Sequence, residues 1–273
     1  MRHSLRLFLA IVIFAPSITC AHVRPSLVAA DASVQPSKSI TVALRLDHEP
    51  KWHTYWINAG TGYATSIKWE LPAGWSAGDI QWPVPTLIKN SAGAVTGHGY
   101  TGVLYLPVTV RAAKDATTSD KVTLKAAVAW LMCAEVCIPG KADLSLSLLV
   151  SQGAAQPDSA VRTELARMVM PEPLPRDWRL DAARAASTVT LTLAGRGGLG
   201  SPHFFSEDGY IQHDLPQKLA VDSGRLIFTL PISEDAIAAP QTLLGVLAYT
   251  DATGAYHGVR VDQPLRPAPK NNP

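Results

Sequence analysis

The sequence predicts an all-β protein, two antiparallel β-sandwich domains joined by a short helical, proline-rich linker. Three observations carry this. Apolar residues alternate with polar ones at period two in run after run, the mark of half-buried strands. Turn residues punctuate the runs: Pro72-Ala73-Gly74, Ser91-Ala92-Gly93 and Thr101-Gly102. Apolar residues make up 47% of the 273 and charged ones 17%, enough to bury a core and too few charges for a disordered chain.

Residues 1–21 read as an export signal. Arg2 and Arg6 flank the apolar run Leu7 to Phe14, and small residues around Thr19-Cys20-Ala21 place a cleavage site before His22. The run is shorter than the roughly 20 residues a membrane span requires. Ser17-Ile18-Thr19 is a poor match to a lipoprotein signal, and either route withdraws Cys20 from thiol chemistry, leaving two cysteines of three. The expected location is therefore an oxidising compartment, the periplasm.

The first sandwich is expected over 22–150. Val42, Leu44 and Leu46 alternate with polar or small neighbours, as do Leu104 to Val110, Val122 to Val128 and Leu144 to Leu148. Residues 151–175 form the linker. Gly153 to Pro157 is loop-like, Val161, Leu165, Met168 and Val169 fall at helical spacing, and Pro171, Pro173 and Pro175 are expected to stop that helix. A second sandwich is expected over 176–265, from Val189 to Leu193, Leu226 to Leu230, Leu243 to Tyr249 and Val259 to Val261. Residues 266–273 read as a frayed tail.

Charge excludes one class of partner. Lys and Arg number 24 against 22 Asp and Glu, so a net charge of +2 gives no footprint for nucleic acid. No Ser/His/Asp arrangement, paired-carboxylate pattern or phosphate loop stands out. Gly195 to Gly200 follows a strand in an all-β context and reads as a turn.

Chemistry concentrates in Cys133-Ala-Glu-Val-Cys137. In an extended strand residues four apart lie roughly 13 Å from each other, whereas a disulfide needs Cα atoms within about 7 Å. The chain must turn between them. A staple over so short a loop stabilises by only about 2 kcal/mol, against about 4 kcal/mol for a loop of about 60 residues. Short or exposed bridges are suited to opening and closing. Two thiols alone lack the further ligands of a closed zinc site. Redox use, a structural staple and a metal site all stay open on spacing alone. Glu135, inside the turn, would oppose a thiolate, and Lys141 is the nearest cation in sequence.

The segment Trp130-Leu-Met-Cys133-Ala-Glu-Val-Cys137-Ile-Pro139-Gly-Lys resembles the redox segment of the N-terminal periplasmic domain of the DsbD thiol:disulfide interchange family, in its ScsB-like branch. Trp52-His53-Thr-Tyr55-Trp56, Leu71-Pro-Ala-Gly-Trp75 and Gly99-Tyr-Thr-Gly-Val-Leu-Tyr-Leu-Pro107-Val follow in family order. The resemblance covers 22–150, and 176–265 resembles, more weakly, the second sandwich of that branch. It implies immunoglobulin-like folds and an oxidoreductase of the protein-disulfide reductase type. Cys133 and Cys137 are then the redox pair, Cys137 attacks first, and a cap over Pro83 to Tyr100 shields them. His53, Tyr55, Trp130 and Tyr100 are the implied surroundings, with Trp130, Met132 and Ile138 as an apolar rim or as plain core. No metal and no cofactor are expected. The implied donor is a membrane-embedded thiol reductase and the implied acceptors are periplasmic thioredoxin-like proteins. The family's best-studied form spaces its cysteines further apart, and full-length members continue into membrane and thioredoxin-like domains; the donor is accordingly expected on a separate chain.

Two other readings follow from the residues. An N-terminal amine and imidazole at His22, with His48, His53, His98 and Met132, offers donors for copper. Trp52, Trp56, Trp69, Trp75 and Trp82 offer an aromatic face for a glycan or partner strand, with the disulfide then structural.

Overall fold

A computed structural model of the chain describes residues 22–118, 120–195 and 198–267. The segment 1–21 expected to direct export, with Cys20, and the end of the expected tail lie outside these residues. In chain order the first part carries β1 (Val23–Ala29), β2 (Ser33–Val34), β3 (Ser39–His48), β4 (His53–Gly60), β5 (Ser66–Glu70) and β6 (Ser76–Ile80). It continues with β7 (Thr86–Lys89), β8 (Val95–Thr101), β9 (Val103–Arg111), β10 (Lys121–Cys133) and β11 (Cys137–Val150). A four-stranded sheet, β1-β3-β9-β6, shares one core with a sheet in the order β2-β11-β10-β4-β8-β7, to which β5 adds along β10.

Period-two alternation builds this core. Val42, Leu44 and Leu46 of β3 and Leu104, Leu106, Val108 and Val110 of β9 point inward, against Leu124, Ala126, Val128, Trp130 and Met132 of β10. Their polar neighbours take the other face. Strand β4 departs from the pattern, because His53, Thr54, Tyr55 and Trp56 are all buried. Both of its faces are covered, one by the core and one by the structure around the cysteines.

The linker helix α1 (Ser159–Ala166) is capped by Asp158, whose carboxylate accepts the amides of Ala160 and Val161. None of its residues is buried. Helical spacing here does not mark a core face. The helix ends at Arg167, ahead of Pro171, so the prolines do not stop it. Val169, beyond the helix, packs on the first core. Arg162 ties the helix back to the first sandwich through the Ala30 carbonyl and the Asp31 carboxylate.

The second part carries β12 (Arg179–Arg184), β13 (Thr188–Ala194), β14 (Gly200–Ser206), β15 (Lys218–Asp222), β16 (Arg225–Pro231), β17 (Thr242–Thr250) and β18 (Tyr256–Pro267). The order β14-β17-β18-β12-β13-β16-β15 closes on a second core in which Phe204, Leu243 and Leu247 meet Leu191, Leu193, Phe228 and Leu230. Strand β18 runs on through Arg266 and Pro267, and Arg266 pairs with Asp181. Gly195 and Gly198, both at positive φ, turn the chain between β13 and β14. Pairing is antiparallel apart from β11–β2 and β12–β18, which are parallel.

The two cores meet. Phe205, Val246 and Ala248 of the second part are buried in the first cluster. Asn58 donates to the Ser206 carbonyl at 2.7 Å, and His98 lies edge-on to Phe205 at a centroid distance of 4.8 Å.

Candidate functional site

Cys133 is the last residue of β10 and Cys137 the first of β11, and the two stand opposite one another in register. The three residues between them make a tight turn closed by the Ala134 amide on the Val136 carbonyl at 3.1 Å. Register and turn bring the Cα atoms to 4.1 Å, and the sulfurs are joined as a disulfide. The pair is therefore the end of a long hairpin, held by the ladder behind it.

The two sulfurs sit in different surroundings. Cys133 lies between β11 and β4, where it pairs with His53, and is 2% exposed. Cys137 is exposed, next to Val136, which is 61% exposed. One cysteine is exposed and the other is shielded.

Alternation along β4 places His53 and Tyr55 on the face of Cys133, and Thr54 and Trp56 on the core face. The Tyr55 hydroxyl lies 3.3 Å from His53 Nε2 and 4.0 Å from Cys137 Sγ. The two rings meet edge to face at 5.2 Å. Burial pushes the Tyr55 pKa up, against a smaller opposing effect of Thr61, so the phenol stays protonated and able to donate. Burial, and secondarily the charge of His48, lowers the His53 pKa, which favours a neutral imidazole. A buried tyrosine and a neutral histidine beside an exposed cysteine form a site that can stabilise a thiolate without a fixed cation. Glu135 is exposed in the turn, and Lys141 is exposed opposite Ala129.

The loop after β4 covers Tyr55. A Cβ at Gly62 would stand 2.6 Å from the tyrosine ring, and one at Gly97 of β8 3.1 Å from it. Tyr63 donates to the Trp130 carbonyl at 3.2 Å, between the short β4 and β5 pairings along β10. Gly62, Tyr63 and Gly97 were not singled out from the sequence; the one signal for them is glycine beside aromatic residues in Thr61-Gly-Tyr63 and Gly97-His-Gly-Tyr100.

Of the six expected site residues, Cys133, Cys137, His53 and Tyr55 come together. Trp130 and Tyr100 do not. Trp130 faces the core, 2% exposed, with its ring against Gly140, and Met132 is likewise buried. Tyr100 stands opposite Thr54 and so shares its core face; its hydroxyl goes to the Pro83 carbonyl at 2.7 Å. The expected cap, Pro83 to Tyr100, is the β7–β8 hairpin at the sheet edge beside β4. Its base is pinned by the Val84 amide on the Val169 carbonyl at 2.8 Å and by the Tyr256 hydroxyl on the Pro85 carbonyl at 2.6 Å.

The histidines weighed for copper are dispersed. His22 stacks on Trp52 at 3.9 Å and meets Glu49, and His48 is satisfied by the Gly102 carbonyl and Thr54. His98 lies in the interface between the two cores, with His203 and His213 at centroid distances of 6.2 and 6.3 Å. No group of three metal-ligating side chains with suitable geometry occurs among the described residues. The tryptophans are core and shoulder residues rather than one exposed face: Trp56 is 1% exposed, and Trp52, Trp69, Trp75 and Trp82 are half-buried against the first core.

Comparison with known proteins follows the geometry. Residues 23–149 match the family described as thiol:disulfide interchange protein DsbD, N-terminal. No curated protein matches the chain. Among solved structures, the N-terminal periplasmic domain of ScsB from Proteus mirabilis is 19% identical, with 92% of this chain and 96% of that one covered at a TM-score of 0.62. That likeness shows a common fold extending over both sandwiches. The periplasmic chaperone SfaE is 11% identical, with 88% of this chain and 100% of that one covered, but its TM-score of 0.23 carries no argument. Placed by the family match on a fold shared with ScsB, residues 23–149 of this chain are a thiol:disulfide interchange domain of the DsbD N-terminal family.

Proposed function

We propose that Cys133 and Cys137 are a redox-active pair that relays electrons in the periplasm, taking them from a membrane-embedded thiol reductase and passing them to thioredoxin-like proteins. The observation that carries this is the asymmetry of the pair: Cys137 exposed at a hairpin tip beside Tyr55, Cys133 buried behind it. In the reduced protein the Cys137 thiol gives up its proton, and the thiolate attacks a partner disulfide and expels one partner thiolate, which takes up a proton. The Cys133 thiol, losing its proton, then attacks Cys137 in the mixed disulfide and expels the second. Two electrons and two protons leave the pair, and the intramolecular disulfide forms again.

The reduction potential of the full chain in glutathione buffers tests this. A value between about −120 and −270 mV supports a relay, and one below about −300 mV marks a structural bridge. Trapping gives the order of attack. Cys133→Ser should accumulate a mixed disulfide through Cys137, and Cys137→Ser should not. No trapped species with either variant would overturn the assignment.

A further inference from the structure

A cleft of about 710 Å³ runs between the two sandwiches, lined by none of Cys133, Cys137, His53 and Tyr55, and no part of the redox reading uses it. One wall is built by β5 and β6, the other by β17, β18 and Glu207. Both β5 and β6 are edge strands among the described residues: β5 pairs with β10 alone, and β6 with β9 alone. An edge strand presents unpaired amides and carbonyls on its open side, which an added strand can satisfy.

Two further features narrow what such a strand carries. Trp69 and Trp82 add half-buried aromatic surface on the same wall. The charge is lopsided: Asp79, Glu207 and Asp262 line the cleft against Arg260 alone, whose guanidinium is held by the Pro171 carbonyl at 3.2 Å. None of the three carboxylates is in an ion pair among the described residues. A chain of net charge +2 has thus gathered a surplus of negative charge at one aromatic-lined groove.

We infer that this interdomain cleft binds an extended, basic peptide segment of a partner protein. The segment's backbone adds to the free edge of β5 or β6. Its Lys or Arg side chains lie over tryptophan faces and against the carboxylates. The inference does not rest on the redox reading and holds even if the disulfide is only a staple.

Isothermal titration of the full chain with acetyl-Gly-Arg-Val-Arg-Gly-amide tests it, against the same peptide with Glu in place of Arg. The basic peptide should bind at least tenfold tighter than the acidic one. The double variant Glu207→Gln, Asp262→Asn should abolish that preference; both residues are exposed, so the fold is kept. N-methylating alternate peptide amides should weaken binding by a similar factor, as strand addition requires. Equal or absent binding of the two peptides, binding indifferent to the charge variant or to N-methylation, spermidine binding as tightly as the peptide, or a neutral oligosaccharide displacing it would each overturn the assignment.

Discussion

The hydroxyl of Tyr55 lies 4.0 Å from Sγ of Cys137, the exposed cysteine of the pair. When the disulfide opens, that hydroxyl is a donor within reach of a Cys137 thiolate, and His53 at its back can accept from it or orient it. A hydrogen bond to a charged group contributes about 1.5–3 kcal/mol, less at the length of a contact to sulfur. Tyr55→Phe should therefore raise the Cys137 thiol pKa and slow alkylation of the reduced protein at pH 7 by about three- to tenfold. A pH profile of iodoacetamide labelling measures both. An unchanged profile would remove Tyr55 from the chemistry and leave it a packing residue.

The hairpin behind the pair depends on Gly140. It stands opposite Trp130 in the β10–β11 ladder, and a Cβ there would come within 2.3 Å of the indole ring. Gly140→Ala should push the indole out of the core or splay the ladder three residues from Cys137. We expect a loss of about 1–3 kcal/mol, the usual cost of overfilling a packed core. Urea unfolding of the oxidised protein reads it. The same substitution should make the disulfide easier to reduce, because the strand that holds Cys137 in register is disturbed.

How much of this was legible beforehand depends on how local the cause is. Strands β3, β10 and β11 are visible in sequence because one face is buried more deeply than the other, and β9 because Leu104, Leu106, Val108 and Val110 alternate even though Tyr105 and Pro107 are buried too. The turn between the cysteines is legible because extended geometry forbids the bridge. Strand β4 is not visible as alternation, since it is buried on both faces. Tyr100 and Trp130 are near the pair in sequence or by resemblance, yet pairing register sends both to the core face, and register is a property of two strands together. The parallel pairings of β2 and β12 are equally non-local. Nothing in the sequence brings His98 to His203 and His213, because their meeting depends on how the two sandwiches dock.

That docking also holds the β7–β8 hairpin. Tyr256 donates to the Pro85 carbonyl at 2.6 Å, and Gly258 leaves room for Val84, since a Cβ there would stand 2.4 Å from its side chain. Burial pushes the Tyr256 pKa well up, so the hydroxyl keeps its proton and its donor role. Tyr256→Phe should leave the buried Pro85 carbonyl without this donor and cost about 1–2 kcal/mol. The loss should be local. Amide exchange in residues 86–89 and 95–101 should speed up, while the strands of the second core keep their protection.

The interface histidines make stability fall with acid. His98 is 2% exposed among Trp56, Phe205, His203 and His213. The Asn58 and His213 carbonyls lie near enough to favour a proton on it, but neither ring nitrogen reaches hydrogen-bonding geometry. Burial, then the charges of His203 and His213, lowers its pKa to about 3 from the ordinary 6.5. Burial lowers that of His203 to about 4, and Gln217 Nε2 faces its Nε2 at 3.2 Å as a donor, which requires that nitrogen unprotonated. Asp214 is the carboxylate beside His213, and it is exposed. Both folded values lie below the unfolded one, so the unfolded chain takes up protons first as pH falls below about 6.5. Stability is therefore full above that value and is lost towards pH 4, by roughly 2 kcal/mol for each histidine between pH 6.5 and 4.5. His48 and His53 shift in the same direction and add to the slope, so a difference between variants is the clean readout. His98→Leu should flatten the dependence of unfolding free energy on pH by about one proton over that range. An identical slope in the variant would mean that His98 is already protonated in the folded protein, with the interface open to water.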